Sequence, residues 1–146
     1  MELAIKTLEE LTSLELLKIM QERVTVFVVE QNCPYQEVDE LDERARHLWL
    51  SDGDNLVAYT RIIPYEHHTS FGRVLVTEDY RGNGYAQKIV ATAIAYIREH
   101  DFASRIEISA QAYLEKFYQN FGFVSISDVY LEDEIPHVVM ELPKKS

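Results

Sequence analysis

The amino-acid sequence predicts a mixed α/β (α+β) fold with a largely antiparallel sheet flanked by helices. Three observations predict this class. The chain has 146 residues, near the commonest size of one domain, and 47% of them are apolar. Apolar periodicity also switches repeatedly between the strand and the helix repeat, in the order strand, helix, three strands, helix, strand, helix and two strands. We therefore expect one domain over residues 1–146.

The N-terminal part is predicted to hold a strand near Glu2–Lys6, followed by a helix. Thr12 stands three residues before Glu15, which is the spacing of a capping box that opens a helix. Apolar residues then recur at helical spacing: Leu14, Leu17, Met20, Val24, Phe27 and Val28. The β-branched run Val24–Val29 also fits a strand, but the unbroken phase of the apolar stripe favours a helix.

A hairpin is predicted after an irregular segment. Pro34 cannot continue a helix, so residues Gln31–Arg44 are expected to lack regular structure. Strands are predicted at Arg46–Ser51 and Leu56–Ile63, because both runs are apolar and the turn Asp52–Asn55 lies between them.

The next pair of elements is a strand at Arg73–Val76 and a long helix from about Tyr85 to His100. The helix is amphipathic, so one stripe of it should face the core. That inner face is predicted to consist of Ala86, Ile89, Val90, Ala93, Ile94 and Ile97.

The last part of the chain is predicted to hold a strand, a helix and two closing strands. Ile106 and Ile108 alternate as in a strand, and Tyr113–Asn120 has the pattern of a short helix that ends before Gly122. The closing strands are predicted near Phe123–Leu131 and His137–Leu142.

The charge balance excludes some classes of partner. Lys and Arg total 14 and Asp and Glu total 25, so the formal net charge is −11. A surface this acidic repels nucleic-acid phosphates and anionic lipid, and it mildly favours cationic substrates such as amines. With Cys33 as the one cysteine, no intramolecular disulfide can form, which fits a reducing, cytoplasmic setting. We also expect no signal peptide and no membrane span.

The segment from Arg73 to Ala86 carries the strongest indication of function. It runs strand, turn and helix, with Gly82, Gly84 and the small Ala86 where the helix starts. Glycine admits unusual backbone angles and removes side chains between amides and a ligand. The first N–H groups of a helix have no internal partner and lie at the positive end of its dipole. Such a turn can hold a pyrophosphate, and Arg81 adds a cation.

Other phosphate-binding motifs do not fit this turn. A P-loop requires Lys and then Ser or Thr after the second glycine, where this chain has Tyr85 and Ala86. A dinucleotide fingerprint requires Gly or Ala at the position of Gln87. The alternative interpretation is that a glycine-rich turn merely ends a strand.

Two motifs resemble those of the GCN5-related N-acetyltransferase (GNAT) superfamily. Arg81-x-x-Gly84-x-Ala86, after an apolar strand and before an amphipathic helix, resembles its coenzyme A motif. Phe117–Phe123 resembles its second signature, a helix that bears Phe-Tyr and ends at Gly-Phe. The resemblance covers essentially the whole chain.

The N-terminal third resembles one branch of that superfamily, the ElaA-type proteins. The resemblance lies in the run Arg23–Tyr35 and in the acids Glu37, Asp39 and Asp42. Ile135–His137 near the end also fits this branch.

The resemblance implies a coenzyme site between two splayed strands, Arg73–Val76 and Arg105–Ser109. Unpaired backbone groups of Val74 and Val76 would hydrogen-bond the pantetheine arm, with the Val76 N–H facing the thioester oxygen. The predicted coenzyme-binding residues are Val74, Val76, Arg81, Gly82, Asn83, Gly84, Tyr85, Ala86 and Gln111.

The resemblance also implies direct transfer of an acetyl group from acetyl-CoA to an amine, with no metal. Tyr118 matches the position that protonates the departing sulfur, although a core tyrosine is the alternative. Glu30 is the candidate general base, although a helix cap, a salt bridge with Arg23 or a water-mediated step would also fit. Arg23, Gln31 and His137 are the predicted acceptor-binding residues.

Two other candidates have plainer explanations. Cys33 follows a helix C-terminus in an acidic stretch, which disfavours a nucleophilic thiolate. The acids that follow it have no glycine to bend a metal-binding loop, so a solvated acidic face is expected. Those acids are Glu37, Asp39, Glu40, Asp42 and Glu43.

Three functions remain open from the sequence. The first is an acetyl-CoA-dependent N-acetyltransferase acting on a small-molecule or peptide amine. The second is a non-catalytic acyl-CoA-binding sensor or interaction domain. The third is an enzyme similar to the acyl-homoserine lactone synthases. The oligomeric state is also open, with a homodimer as one option.

Overall fold

The computed structural model describes residues 1–100 and 105–143. Within these ranges the strands are β1 (Glu2–Thr7), β2 (Arg46–Asp52), β3 (Asn55–Pro64), β4 (Thr69–Val76), β5 (Arg105–Gln111), β6 (Val124–Ser125), β7 (Tyr130–Glu132) and β8 (Ile135–Pro143). The α-helices are α1 (Ser13–Val24), α2 (Tyr85–His100) and α3 (Glu115–Gln119). A π-helical turn, Thr25–Glu30, extends α1. Short 3₁₀ helices occupy Leu8–Glu10, Glu40–Glu43, Glu78–Tyr80 and Ala112–Leu114.

The described strands form one mixed, mostly antiparallel sheet in the order β1-β2-β3-β4-β5-β8-β6, with β7 also paired to β8. The β4–β5 pair alone is parallel, and its register contains a single residue pair, Thr69 with Ile106. This is the predicted fold class. Strands β4 and β5 are therefore unpaired toward the end of β4, where the chain leads to α2.

Two apolar clusters lie on the faces of the sheet. The cluster under α2 includes Ile89, Val90, Ala93 and Ile97, packed against strand residues such as Leu48. The cluster under α1 is smaller and consists of Ile19, Trp49, Leu56, Tyr59 and Leu75. The bounds predicted for α2 are confirmed, and four of its six predicted inner residues are buried, with Ala86 and Ile94 half-buried.

The helix predicted before residue 30 is present and begins at the predicted cap. The Glu15 N–H donates to Thr12 Oγ1 at 3.1 Å, and the Thr12 N–H donates to Glu15 Oε1 at 2.9 Å. The run Val24–Val29 is helical, as the preferred interpretation expected. A π-helical turn replaces regular α-helix there, and such turns are frequent at functional sites.

The apolar stripe predicted for this helix faces the core only in part: Phe27 packs against the cluster under α1, but the first turns of the stripe face solvent. Leu14 and Leu17 are 76% and 54% exposed, whereas Ile19 and Arg23 are buried. The inward face of the helix is therefore formed by Ile19 and Arg23. Arg23 lies four residues, about one turn, after Ile19 on the same side of the helix. Apolar periodicity alone could not reveal a face that includes a charged residue.

Two strand boundaries also differ from expectation. β4 begins at Thr69, four residues before the predicted start, because its first half contains Ser70 and Gly72 and lacks a long apolar run. The predicted strand Phe123–Leu131 is interrupted, since only β6 and β7 pair with β8. Between them the Ser127 hydroxyl accepts a hydrogen bond from the Val139 N–H at 2.9 Å, in place of a strand partner.

No helix within residues 1–100 and 105–143 is both long enough and apolar enough to cross a membrane.

Candidate active site

A cavity of about 960 Å³ opens where β4 and β5 separate. β4 contributes its length from Ser70 to Val76, and β5 contributes Ile108 to Gln111. The π-helical turn forms another wall with Val26, Phe27 and Glu30. The strands diverge beyond the single pair near their starts, so the cavity reaches between backbones that do not hydrogen-bond each other.

The glycine turn lies at one end of this opening and has the geometry that the sequence predicts. Gly82 and Gly84 adopt φ angles of 79° and 82°, a left-handed region that other residues rarely enter. A Cβ on Gly82 would meet no atom within 4 Å, so the backbone angle and not crowding explains this glycine. The turn is held by Asn83, whose amide group donates to the carbonyls of Tyr80 and Arg81 at 3.2 and 3.1 Å.

The first amides of α2 are available to a ligand. The Lys88 N–H donates to the Gly84 carbonyl at 3.1 Å and closes the first turn. The N–H groups of Tyr85, Ala86 and Gln87 have no protein acceptor within the described part of the chain. Together with the helix dipole, these groups suit a pyrophosphate.

Arg81 and Glu30, predicted separately as a coenzyme contact and a base, lie in direct contact. Arg81 Nη2 is 2.7 Å from Glu30 Oε1. The Arg81 Nε–H also donates to the Val76 carbonyl at 2.9 Å. The guanidinium therefore extends from the glycine turn, across the end of β4, to the π-helical turn. The alternative salt bridge between Glu30 and Arg23 does not form.

Tyr118 lies on α3 and lines the cavity from the other side. Its side chain is 5% exposed and packs against Phe71, Phe117 and Phe123, with ring centroids 5.0 to 6.3 Å apart. Burial raises the pKa of Tyr118 above its ordinary value, so the hydroxyl is protonated at neutral pH. Core tyrosine and cavity-lining tyrosine are thus both correct descriptions of this residue.

The structure brings several other predicted residues to the same cavity. Gln111, at the end of β5, has its Nε2 3.4 Å from Gln31 Oε1, and both side chains line the cavity. His137 is buried, with Nδ1 2.7 Å from the Ile135 carbonyl and Nε2 3.4 Å from Glu132 Oε2. Val74 and Val76 line it through β4.

Arg23 does not take part in the predicted acceptor contacts. Its side chain is fully buried and does not line the cavity. The Arg23 guanidinium contacts the Glu37 carboxylate at 3.0 Å and the Asp42 carboxylate at 2.6 Å. This prediction was wrong because the segment after the π-helical turn folds over the arginine and supplies its counterions.

The acidic segment is likewise not a uniformly solvated face. Glu37 and Asp42 are buried, and Asp39 is half-buried, whereas Glu40 and Glu43 are exposed as expected. Burial acts to raise the pKa of Asp42, but hydrogen bonds and charges from the neighbouring arginines outweigh it and lower the pKa below its usual range.

Two further arginines, Arg61 and Arg73, also line the cavity. Arg61 Nη1 lies 2.6 Å from Asp39 Oδ1, and Arg73 Nε lies 2.6 Å from Glu37 Oε2. Arg73 has φ 52°, a strained value for a non-glycine residue, next to the register shift between β3 and β4. Arg23 could have revealed this network, because it lies one turn after the apolar Ile19 on the same side of the helix and would need acidic partners there.

Cys33 is buried at the cavity wall, and its thiol lies 3.6 Å from the Asp133 carbonyl. The contact joins the segment after the π-helical turn to the β7–β8 hairpin. The hairpin tip turns through Asp133 and Glu134, both with positive φ.

A mostly antiparallel sheet that splits beside a glycine turn, with a cavity between the separated strands, is the arrangement that the sequence resemblance implies for a coenzyme A-dependent acyltransferase. The comparisons with known proteins give the family. Residues 15–144 match the model of the acetyltransferase (GNAT) domain. The chain belongs to the GNAT family, and within it to the ElaA-type branch.

The relatives cover nearly the whole chain. ElaA of Escherichia coli is 40% identical over 136 residues, which span 90% of this chain and 89% of that protein. Its crystal structure superposes with a TM-score of 0.91 over 97% of this chain and 99% of the other. An acyl-CoA N-acyltransferase from Pseudomonas aeruginosa has a TM-score of 0.91 and 38% identity, over 96% of this chain and 97% of that one.

A CoA-dependent acyl-homoserine lactone synthase is also similar in fold. Its TM-score is 0.83 at 14% sequence identity, over 98% of this chain and 83% of the synthase. At this identity the likeness shows the fold alone, so it does not carry the synthase activity over to this chain.

Proposed function

We propose that the protein transfers an acetyl group from acetyl-CoA to the nitrogen of an amine. One observation carries the proposal: a single cavity is lined by Arg81 at the start of the glycine turn, by both strands of the gap between β4 and β5, and by Tyr118. A coenzyme bound this way has its pyrophosphate at the turn and its thioester beside the tyrosine. Membership of the GNAT family supports this orientation.

The glycine turn suits the phosphate end of the coenzyme. The amides of Gly82, Asn83, Tyr85 and Ala86 would donate to pyrophosphate oxygens, helped by the positive end of the α2 dipole. The left-handed φ of Gly84 fits this role, because a side chain at this backbone angle would be strained. Local donors of this kind are required, since the chain as a whole carries a net charge of −11.

The gap between β4 and β5 suits the pantetheine arm. Unpaired backbone groups of Val74 and Val76 would hydrogen-bond its amides, and Gln111 would bind from the β5 side. Acetyl-CoA supplies an activated thioester carbonyl. In our proposal the Val76 N–H donates to that carbonyl oxygen and stabilises the negative charge that develops on it during attack.

The chemical step needs one bond to form, one bond to break and two protons to move. The amine nitrogen bonds to the carbonyl carbon, the carbon–sulfur bond breaks, and Tyr118 donates its proton to the departing sulfur. Glu30, or a water that it orders, accepts the proton that the amine loses. Holding both reactants in one cavity removes most of the encounter entropy, so no covalent enzyme intermediate is required.

The acceptor is proposed to be a small-molecule or peptide amine that enters beside the β7–β8 hairpin. Gln31 and His137 line this part of the cavity, and Glu132 and Asp133 give it negative charge. These features suit a cationic group better than an anionic one.

The proposal is tested by incubating the protein with acetyl-CoA and a panel of primary amines and measuring the CoA thiol that is released. We expect at least one amine to give acceptor-dependent release and an acetylated product of the corresponding mass. Tight binding of acetyl-CoA with no turnover of any amine would favour the second candidate, a non-catalytic acyl-CoA-binding module. Absence of acetyl-CoA binding would overturn both.

A further inference from the structure

The contact between Arg81 and Glu30 places a coenzyme ligand and a candidate base in one ion pair. The pair is 2.7 Å long, and the two side chains are 43% and 31% exposed. Two edges of the guanidinium are occupied, since Nη2 faces Glu30 and the Nε–H donates to the Val76 carbonyl at 2.9 Å. Glu30 has no second cationic partner among residues 1–100 and 105–143.

The neighbouring residue makes the matching contact on the other side of the strand gap. Gln31 Oε1 lies 3.4 Å from Gln111 Nε2, at the end of β5. Glu30, the last residue of the π-helical turn, therefore contacts Arg81 after β4. Gln31, the next residue, contacts Gln111 on β5. Together the two contacts bridge β4 and β5 through the π-helical turn.

A pyrophosphate at the glycine turn would compete with Glu30 for Arg81. Phosphate oxygens accept from a guanidinium in the same forked geometry as a carboxylate. A phosphate and a carboxylate on one guanidinium would also repel each other, and this repulsion grows as water is displaced from the cavity. The Arg81 guanidinium would then have two competing anionic partners, the Glu30 carboxylate and the coenzyme pyrophosphate.

We propose that the coenzyme and Glu30 exchange at Arg81. The coenzyme pyrophosphate takes the guanidinium, and the released Glu30 carboxylate becomes the counterion of the acceptor's ammonium group. Glu30 thus binds the acceptor in the coenzyme-loaded protein and is occupied by Arg81 in the free protein. This inference rests on the proposed function and adds the acceptor contact, the charge that it selects and its dependence on the coenzyme.

The test is the effect of Glu30→Gln on the dissociation constant of CoA, measured by titration calorimetry. Exchange predicts that CoA binds about two- to fivefold more tightly to the variant, since an exposed ion pair no longer has to be broken. The matched control is Glu78→Gln, because Glu78 is an exposed acid on the same cavity and forms no ion pair with the described residues. It removes the same charge and should tighten binding by a smaller factor.

The Arg81→Gln background completes the measurement as a double-mutant cycle. There the effect of Glu30→Gln should shrink to that of Glu78→Gln, since no guanidinium remains to be shared. Equal or weaker CoA binding by Glu30→Gln in the parent background would overturn the exchange while leaving the proposed function intact. Failure of the parent protein to bind CoA would instead remove the proposed function on which the exchange rests.

Discussion

The guanidinium of Arg23 lies 2.6 Å from the Asp42 carboxylate, and both side chains are buried. A second carboxylate, that of Glu37, lies 3.0 Å from the same guanidinium. These bonds tie the end of α1 to the irregular segment before β2. Tyr35 and Leu41 of that segment line the cavity, so the ion pairs fix one of its walls.

Removing the central cation should unfold the protein more readily. Arg23→Met leaves two buried carboxylates with one arginine partner each, Arg73 for Glu37 and Arg61 for Asp42, and breaking buried pairs in this way costs about 3–5 kcal/mol. The free energy of unfolding, measured with urea, should fall by that amount. The control is Lys18→Met, whose exposed pair with Glu22 spans 3.7 Å and should contribute less than about 0.5 kcal/mol. Equal losses for the two variants would contradict a structural role for the buried network.

The same network should make the protein sensitive to acid. The arginines lower the pKa of Asp42 below its ordinary value of 3.8, against the opposing effect of burial. The folded state therefore binds this proton less readily than the unfolded state. Its contribution to stability is present above about pH 4 and is lost as the pH falls through the folded pKa.

This pH dependence can be measured as urea unfolding at pH 7, 5, 4 and 3. The parent should lose stability most steeply between the last two values, and Asp42→Asn should start lower at pH 7 and show a shallower slope. The control is Asp54→Asn in the exposed turn between β2 and β3, which should keep the parent slope. If the stability of Asp42→Asn changes with pH as steeply as that of the parent, other carboxyl groups govern acid unfolding.

Local features of the fold were predictable from the sequence, because they depend on neighbouring residues. The cap at Thr12, the helix Tyr85–His100 and the glycine turn were identified from spacing and residue type alone. The inner face of α1 was not, since Arg23 faces inward only because acids from a distant segment cover it. Burial of Glu37 has the same origin, and charged residues are rarely buried unless they are paired.

In the candidate site, too, features that depend on local motifs were predictable and contacts between distant residues were not. The strand gap and Tyr118 are implied by the family resemblance of two local motifs, and the structure brings both strands, Arg81 of the turn and Tyr118 to one cavity. The contact between Arg81 and Glu30 joins residues 51 positions apart, so no local pattern could indicate it. Pairings of this kind depend on how α1 packs against the sheet, and local sequence patterns do not reveal that packing.

Gly84→Ala should weaken coenzyme binding selectively. An alanine at φ 82° is strained by about 1–2 kcal/mol, and relief of the strain would turn the amides of the turn away from the ligand. We expect CoA to bind about tenfold more weakly, measured by titration calorimetry. Gly53→Ala is a matched control, because Gly53 also has a positive φ of 59° but lies in the turn between β2 and β3. Similar losses of CoA affinity in both variants would indicate a general effect of destabilisation.

Tyr118→Phe should slow acetyl transfer while leaving coenzyme binding nearly unchanged. The substitution removes one buried hydroxyl and keeps the ring that packs against Phe71 and Phe123. Loss of a positioned general acid lowers rates by about 10²–10⁴-fold, so single-turnover acetylation of a reactive amine should fall by that factor. Tyr113→Phe is the control, because Tyr113 lines the same cavity but is 76% exposed. If both variants keep the parent rate, the sulfur leaves as the thiolate or is protonated by water, and burial of Tyr118 serves the core alone.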